Sequence, residues 1–202
     1  MLENAWQQVA TTSWIEWLGT ITGIIGVYCS IKEKIAAWAL FVVCYAVYIY
    51  LSYQAELYAA VAMNAAFIVI SVYGWLNWSS ALTTRKASVN ISKTPKNGRI
   101  AALAFIFFGT IGFGGALHYC TSAYMPYLDA FAMCNAFTAQ WMLSRKYVEN
   151  WLFWILADVI YVGLWWAQGY LASAILFTIF ISLATRGWLE WRRQIKAHNP
   201  CP

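Results

Sequence analysis

Seven long apolar segments constrain this chain more than any other feature of its sequence. A helix needs about 20 mostly apolar residues to cross the hydrocarbon core of a membrane. Only 10% of the residues are charged, against about 25% in a soluble domain, so too little polar surface exists to cover a protein in water. The chain is therefore predicted to be an all-α membrane protein. The predicted spans are Trp14–Ser30, Ala36–Leu51, Leu57–Trp78, Ile100–Leu117, Tyr127–Leu143, Trp151–Trp166 and Tyr170–Thr185.

The basic residues predict the direction in which the chain crosses the membrane. All 13 Lys and Arg residues fall in the connections on one side of the predicted bundle: 30–35, 79–99, 144–150 and the tail from residue 186. The cytoplasmic loops of membrane proteins carry the excess of Lys and Arg. The N-terminus is therefore expected outside and the C-terminus in the cytoplasm. This arrangement requires an odd number of helices, which agrees with seven.

The two halves of the sequence resemble each other. Gly74–Trp78 (GWLNW) closes the third predicted helix, and Gly187–Trp191 (GWLEW) closes the seventh, 113 positions later. The same offset relates Trp38 to Trp151. Because four helices separate equivalent members, the halves share one orientation, as in the parallel repeats of SWEET-type transporters. The predicted 3+1+3 organisation has a three-helix bundle over 14–78, a cytoplasmic linker over 79–99, a connecting helix over 100–117 and a second bundle over 127–191.

The sixth predicted helix carries the residues best placed to bind a solute. Trp151, Trp154, Asp158 and Tyr161 follow helical spacing and share one face. A carboxylate at mid-membrane costs at least about 2.5 kcal/mol, so Asp158 must face either a solute path or a hydrogen-bond partner on another helix. The two indoles can stack on a flat, positively charged ring. For Trp151, near the cytoplasmic end, anchoring at the membrane interface is the alternative.

Other helices contribute further candidate residues. In the first half, Trp38 and Tyr48 are equivalent to Trp151 and Tyr161, which predicts a second aromatic face opposite the first. Two such faces suit a planar solute, although simple packing explains them equally well. Amides inside membranes often join helices, and acidic residues at an outer mouth without basic residues attract cations. The polar candidates are Asn64, Asn135 and Gln140, with Asp129 and Glu16 toward the outer side.

Several kinds of chemistry have no signature in this chain. It contains no H-E-x-x-H, no nucleophile elbow and no P-loop, so neither an enzyme nor a directly ATP-driven pump is expected. Its two histidines, His118 and His198, lie outside the predicted core. We therefore expect no cofactor, no metal and no nucleic-acid partner. Without an intramembrane His or basic residue to relay protons, passive uniport is predicted rather than ion coupling.

The chain resembles the Pnu-type bacterial vitamin transporter family over nearly its whole length. The resemblance implies an inner-membrane homotrimer that passes an unphosphorylated vitamin by facilitated diffusion, after which a cytoplasmic kinase traps the cargo. The substrate-binding motif of the family, W-x-x-W-x-x-x-[ND], falls on Trp151, Trp154 and Asp158. The matching stretches are Glu16–Gly19 (EWLG), Val72–Trp75 (VYGW), Tyr127–Ala130 (YLDA), Ala139–Trp141 (AQW) and Glu149–Trp154 (ENWLFW) with Asp158.

The family resemblance also bears on the cargo, because members carry nicotinamide riboside, thiamine, riboflavin or deoxynucleosides. This chain has Asn64 where the family often has Gln, and it lacks the Asn and the Pro-Met stretch of one nicotinamide-riboside subgroup. Its short N-terminus resembles the thiamine branch. Thiamine is therefore the expected cargo and nicotinamide riboside the alternative. A SWEET-like sugar carrier, which uses intrahelical prolines absent from these spans, and a receptor without transport activity are the rival classes.

Overall fold

The structure of the chain is a computed structural model that describes residue 10, residues 12–83 and residues 90–198. Within these residues the chain forms seven helices and no β-strand, as predicted. Each predicted apolar segment lies within or largely within one helix. The helices are α1 (Trp14–Ile31), α2 (Ala36–Gln54), α3 (Tyr58–Thr83), α4 (Lys96–Cys120), α5 (Pro126–Ser144), α6 (Asn150–Ala167) and α7 (Leu171–His198).

Six of the seven helices are long and apolar enough to cross a membrane, and α5 is the exception. With 19 residues, α5 is about 28 Å long, so its length is sufficient. Its hydropathy is lowered by polar residues, among them Asp129, Asn135 and Gln140. Several of these side chains are buried against protein, which is how a membrane bundle accommodates polar groups. That α5 forms a seventh span stays a prediction.

The helices form a closed ring of six with one helix outside. Around the ring the order is α1, α2, α3, α5, α6 and α7, and α7 packs back against α1. Among the described residues, α4 packs against α5 alone. Much of the apolar surface of α4 is therefore not covered by the described residues, including the exposed side chains of Phe105, Phe107, Phe108 and Ile111.

The same pair of tryptophans occurs in each half of the ring. The rings of Trp38 and Trp78 lie 5.2 Å apart at an interplanar angle of 90°. The rings of Trp151 and Trp191 lie 5.3 Å apart at 84°. Each residue of the second pair stands 113 positions after its counterpart in the first, so the offset read from the sequence also relates contacts in space.

These tryptophans also join the halves by equivalent hydrogen bonds. Trp78 of α3 donates from Nε1 to the carbonyl of Ser144 at the end of α5, at 3.2 Å. Trp191 of α7 donates from Nε1 to the carbonyl of Ile31 at the end of α1, at 3.0 Å. The last carbonyls of a helix have no partner within it, so each half supplies a donor to the first helix of the other.

The linker between the halves is shorter than predicted, because α3 continues to Thr83 and α4 begins at Lys96. Residues 84–89 lie outside the described residues. The last part of the linker is bound to the α5–α6 turn. Ser92 donates its N–H to the carbonyl of Lys146 at 3.1 Å and accepts from the N–H of Val148 at 2.9 Å.

Candidate solute-binding site

A column of stacked aromatic rings crosses the interior of the ring of helices. Phe41 and Tyr45 of α2 stack at 6.2 Å, Tyr45 and Phe67 of α3 at 4.9 Å, and Phe67 and Phe137 of α5 at 4.5 Å. Neighbouring rings are tilted by 27°, 15° and 25°. Trp154 of α6 packs against the same cluster. The aromatic column is thus built from three helices, α2, α3 and α5, and is contacted by a fourth, α6.

Asp158 is buried beside the aromatic column without a hydrogen-bond partner. It lies four residues after Trp154 and three before Tyr161, which both pack against the cluster, and the residue is only 4% exposed. Within the described part of the chain, the carboxylate forms no hydrogen bond. A buried polar or charged group without a partner is costly. Among the described acidic residues, Asp158 is therefore the one whose burial most favours binding of a partner from outside the chain.

Three buried amides direct their NH2 groups toward the protein itself. Asn64 and Asn135 each donate from Nδ2 to a backbone carbonyl four residues earlier in their own helix, at 2.8 and 2.7 Å. Gln140 donates from Nε2 to the hydroxyl oxygen of Ser71 at 3.1 Å. The side-chain oxygens of Asn135 and Gln140 are buried and have no partner within the described part of the chain. Asn135 and Gln140 therefore each keep an unpaired acceptor oxygen in the interior.

Trp151 and Trp38 occupy packing positions in the structure. They are 1% and 0% exposed, and the indole of each lies directly against a glycine of the neighbouring helix, Gly187 and Gly74 respectively. A side-chain carbon on either glycine would collide with the indole. Trp154, one turn further along α6, is only partly buried. Of the predicted tryptophans, Trp154 is thus the one that retains accessible ring surface.

The two predicted tyrosines lie at equivalent positions on α2 and α6. The hydroxyl of Tyr48 is 3.4 Å from Oγ1 of Thr20 on α1. The ring of Tyr161 lies 5.0 Å from that of Phe177 on α7 and also packs against the aromatic column. The contacts of Tyr161 therefore place it closer to the candidate site than those of Tyr48 do.

Glu16 and Asp129 both lie in the first turn of a helix. The carboxylate of Glu16 accepts the N–H of Ser13 at 3.0 Å, which completes a capping box at the start of α1. Acidic residues are favourable at a helix N-terminus because of the helix dipole. Glu16 thus has a hydrogen-bond partner in its own helix, and Asp129 lies in the favourable field of a helix N-terminus. That these two acids attract cations stays a prediction. The described residues contain no group of three or more His, Cys, Asp or Glu able to hold a metal ion.

Sequence reasoning did not select Phe67, Ser71 or Phe137, which lie in or next to the aromatic column. A signal was available, because Phe67 and Ser71 lie three and seven residues after Asn64 and share its helical face. Phe137 lies three residues before Gln140 on α5. In an apolar helix these three residues look like ordinary packing residues. Only their spacing from the amides Asn64 and Gln140 distinguishes them.

Six of the seven described helices are long and apolar enough to cross a membrane, which defines a multi-pass membrane protein, and the family that the chain matches is one of transporters. The model of the family described as nicotinamide mononucleotide transporter matches residues 13–193, and the chain belongs to this family. Membership confirms the resemblance to Pnu-type vitamin transporters, and it places the chain in the bacterial inner membrane.

Individual relatives agree with this assignment. The nicotinamide riboside transporter PnuC of Escherichia coli K12 is 26% identical over 203 residues, covering 89% of this chain and 85% of the relative. The riboflavin/roseoflavin transporter RibM of Streptomyces davaonensis is 24% identical over 182 residues, covering 88% and 84%. The crystal structure of the vitamin B3 transporter PnuC superposes with a TM-score of 0.75 at 22% identity, covering 98% of this chain and 91% of that chain. The chain therefore shares the fold of that protein.

Proposed function

We propose that this protein carries a small, flat, unphosphorylated B-vitamin with a positively charged ring across the bacterial inner membrane. The observation that supports this most directly is Asp158, which is 4% exposed and has no hydrogen-bond partner among the described residues. A cationic cargo would supply the missing partner. The aromatic column and Trp154 would provide flat surfaces on which its ring can stack.

Three acceptors in the proposed site favour cargo that carries hydrogen-bond donors. The carboxylate of Asp158 and the free oxygens of Asn135 and Gln140 are all acceptors. Such a site pairs well with amino groups, hydroxyls or a positive charge. A phosphate group is anionic at neutral pH and would be repelled by Asp158. Passage of the unphosphorylated form, followed by phosphorylation by a cytoplasmic kinase, is consistent with this polarity.

Nicotinamide riboside is the first candidate cargo, because the E. coli relative bears its name. Thiamine is the second, because its ring also carries a positive charge. Both molecules carry a cationic aromatic ring and a hydrogen-bond donor. Riboflavin, which appears in the name of the Streptomyces relative, is flat but has a neutral ring. The proposed site should therefore bind riboflavin less well than either cationic vitamin.

For the architecture, we propose a 3+1+3 parallel repeat, with the N-terminus outside and the C-terminus in the cytoplasm. The recurrence of tryptophan contacts at an offset of 113 residues supports the repeat, and the distribution of Lys and Arg supports the orientation. The helix outside the ring, α4, inverts the chain between the halves. Its exposed apolar surface suits the expected homotrimer.

Two measurements test the proposed function. Thermal unfolding of the detergent-solubilised protein, measured with nicotinamide riboside, thiamine, riboflavin and glucose, should reveal stabilisation by a cationic vitamin. A ligand that binds only the folded state raises the free energy of unfolding by about 2.7 kcal/mol when its concentration is a hundred times its Kd. Proteoliposomes held at zero membrane potential, with equal potassium on both sides and valinomycin, should then take up that vitamin down its gradient until the inner and outer concentrations are equal.

Each alternative predicts a different outcome of these measurements. Stabilisation by glucose alone would indicate a sugar carrier, and binding of a vitamin without uptake would indicate a receptor. Accumulation above the outer concentration, driven by an imposed proton or sodium gradient, would contradict uniport. If an excess of the other vitamins does not reduce uptake of the tested vitamin, the proposed cargo class is contradicted.

A further inference from the structure

Ser71 determines which way the side-chain amide of Gln140 points. The hydroxyl of Ser71 donates to the carbonyl of Phe67 at 2.8 Å. A serine hydroxyl has a single hydrogen, so toward Gln140 its oxygen can only accept. It accepts from Nε2 of Gln140 at 3.1 Å. The NH2 group of Gln140 is thereby held against Ser71, and the carbonyl oxygen Oε1 is turned away from it.

Gln140 lies one helical turn from the aromatic column. Ser71 follows Phe67 by one helical turn on α3, and Gln140 follows Phe137 by one turn on α5. Phe67 and Phe137 are stacked at 4.5 Å, so the Ser71–Gln140 pair forms the adjacent layer between the same two helices. Both residues are 0% exposed, and Oε1 of Gln140 has no partner within the described residues.

We infer that Ser71 is a positioning residue that fixes Gln140 as a hydrogen-bond acceptor for the cargo and so selects vitamins with an N–H donor. The inference rests on the proposed function, because it specifies the polarity of the same site. A cargo that presents an amino or amide N–H to Oε1 is accepted. A counterpart with an oxygen at that position brings two acceptors together and leaves both unpaired, which is how polar sites reject analogues.

Removing the Ser71 hydroxyl should change selectivity without disrupting the fold. The position equivalent to Ser71 in the second half, 113 residues later, is Ala184. Ala184 is 2% exposed, so an alanine already fits the corresponding environment. In the variant Ser71→Ala nothing holds the NH2 group of Gln140, and the amide can rotate to present either its oxygen or its nitrogen.

The test compares matched cargos of equal charge that differ in one donor group. Nicotinamide riboside is compared with the methyl ester of nicotinic acid riboside, in which a neutral ester oxygen replaces the amide NH2, and thiamine with oxythiamine, in which a carbonyl replaces the amino group. We expect the wild-type protein to prefer the donor-bearing member of at least one pair by about tenfold or more. Ser71→Ala should reduce that preference to within about threefold, chiefly by improving binding of the analogue relative to the vitamin. Affinities are measured by thermal shift and by competition for uptake.

Three further variants distinguish positioning from a general structural effect. Ser71→Thr retains a hydroxyl that can donate to the carbonyl four residues earlier, as Thr178 does at 2.8 Å, and should keep the wild-type preference. Ser30→Ala removes another buried hydroxyl bonded to a backbone carbonyl and should leave the preference unchanged. In a Gln140→Met background, Ser71→Ala should have no further effect on the ratio.

The results separate failure of the inference from failure of the proposed function. If the wild-type protein binds none of these vitamins, the proposed function falls. If it binds a vitamin but does not distinguish the members of a pair, only the inference falls. An unchanged ratio in folded Ser71→Ala, or an equal change in the Gln140→Met background, also overturns the inference.

Discussion

Glu33 and Lys146 stand at equivalent positions of the two halves and bind each other, with Nζ of Lys146 2.8 Å from Oε2 of Glu33. Each has a left-handed backbone, with φ of 54° and 55°, in the turn after the first helix of its half. In a twofold repeat, equivalent residues can touch only near the axis that relates them. The ion pair therefore marks the centre of the end of the ring that we propose faces the cytoplasm.

Reversing one charge of this pair should weaken the closed arrangement of the two halves. In Glu33→Lys two cations would face each other. Lys146 also lies 4.8 Å from the ring of Trp78, so it would lose this cation–π contact if it moved away. We expect a destabilisation of about 1 kcal/mol, visible as a lower melting temperature, together with a changed uptake rate. The double reversal Glu33→Lys with Lys146→Glu should recover most of the loss. If it is no more stable than the single variants, the pair does not couple the halves.

The close contacts of glycine with tryptophan should make two glycines intolerant of substitution. Gly74→Ala and Gly187→Ala would each place a methyl group against a buried indole. Overpacking of this kind costs about 1–3 kcal/mol. Thermal unfolding in detergent measures the effect, and Gly163→Ala on α6 is the matched control, since nothing lies within 4 Å of its added carbon. The control should be neutral or slightly stabilising, and an equal loss in all three variants would contradict the packing argument.

The two neighbouring tryptophans of α6 should respond differently to truncation. Trp151 is 1% exposed and packs between helices, so Trp151→Ala should cost about 3–5 kcal/mol of stability. Trp154 is partly exposed beside the aromatic column, so Trp154→Ala should weaken vitamin binding by about tenfold with a smaller effect on folding. Melting temperature without ligand and affinity with ligand separate the two effects. The assignment is contradicted if Trp154→Ala folds normally and binds with wild-type affinity.

Much of the fold could be predicted because its determinants are local or periodic. The length of each apolar segment fixed the helices, and the repeated string GWLxW fixed the register of the halves, which reappears in the contacts of Trp38 and Trp151. The sequence did not reveal why those tryptophans occur in that register. They face glycines on another helix, and a one-dimensional pattern does not identify such a partner.

The site was less predictable than the fold, because an almost uniformly apolar sequence does not show which residues face the centre of a bundle. Asp158 and the amides stood out as polar exceptions in apolar helices. Phe67 and Phe137 did not, since a phenylalanine in a membrane helix has the same appearance whether it faces lipid, another helix or a solute. The direction of each amide depends on a neighbour such as Ser71, which lies 69 residues away along the chain.

Replacing Asp158 with asparagine tests whether the carboxylate recognises the positive charge of the cargo. Asp158→Asn keeps the shape of the side chain and removes its charge. A hydrogen bond or contact involving a charged group is worth about 1.5–3 kcal/mol, so the affinity for nicotinamide riboside should fall by about tenfold or more. Dihydronicotinamide riboside has nearly the same shape but a neutral ring, and its affinity should change much less. Binding of both compounds is measured by thermal shift, with Glu190→Gln on α7 as a control that removes a different acid, one paired with Lys32. An equal loss for the charged and neutral compounds would mean that Asp158 supports the packing of α6 rather than the charge of the cargo.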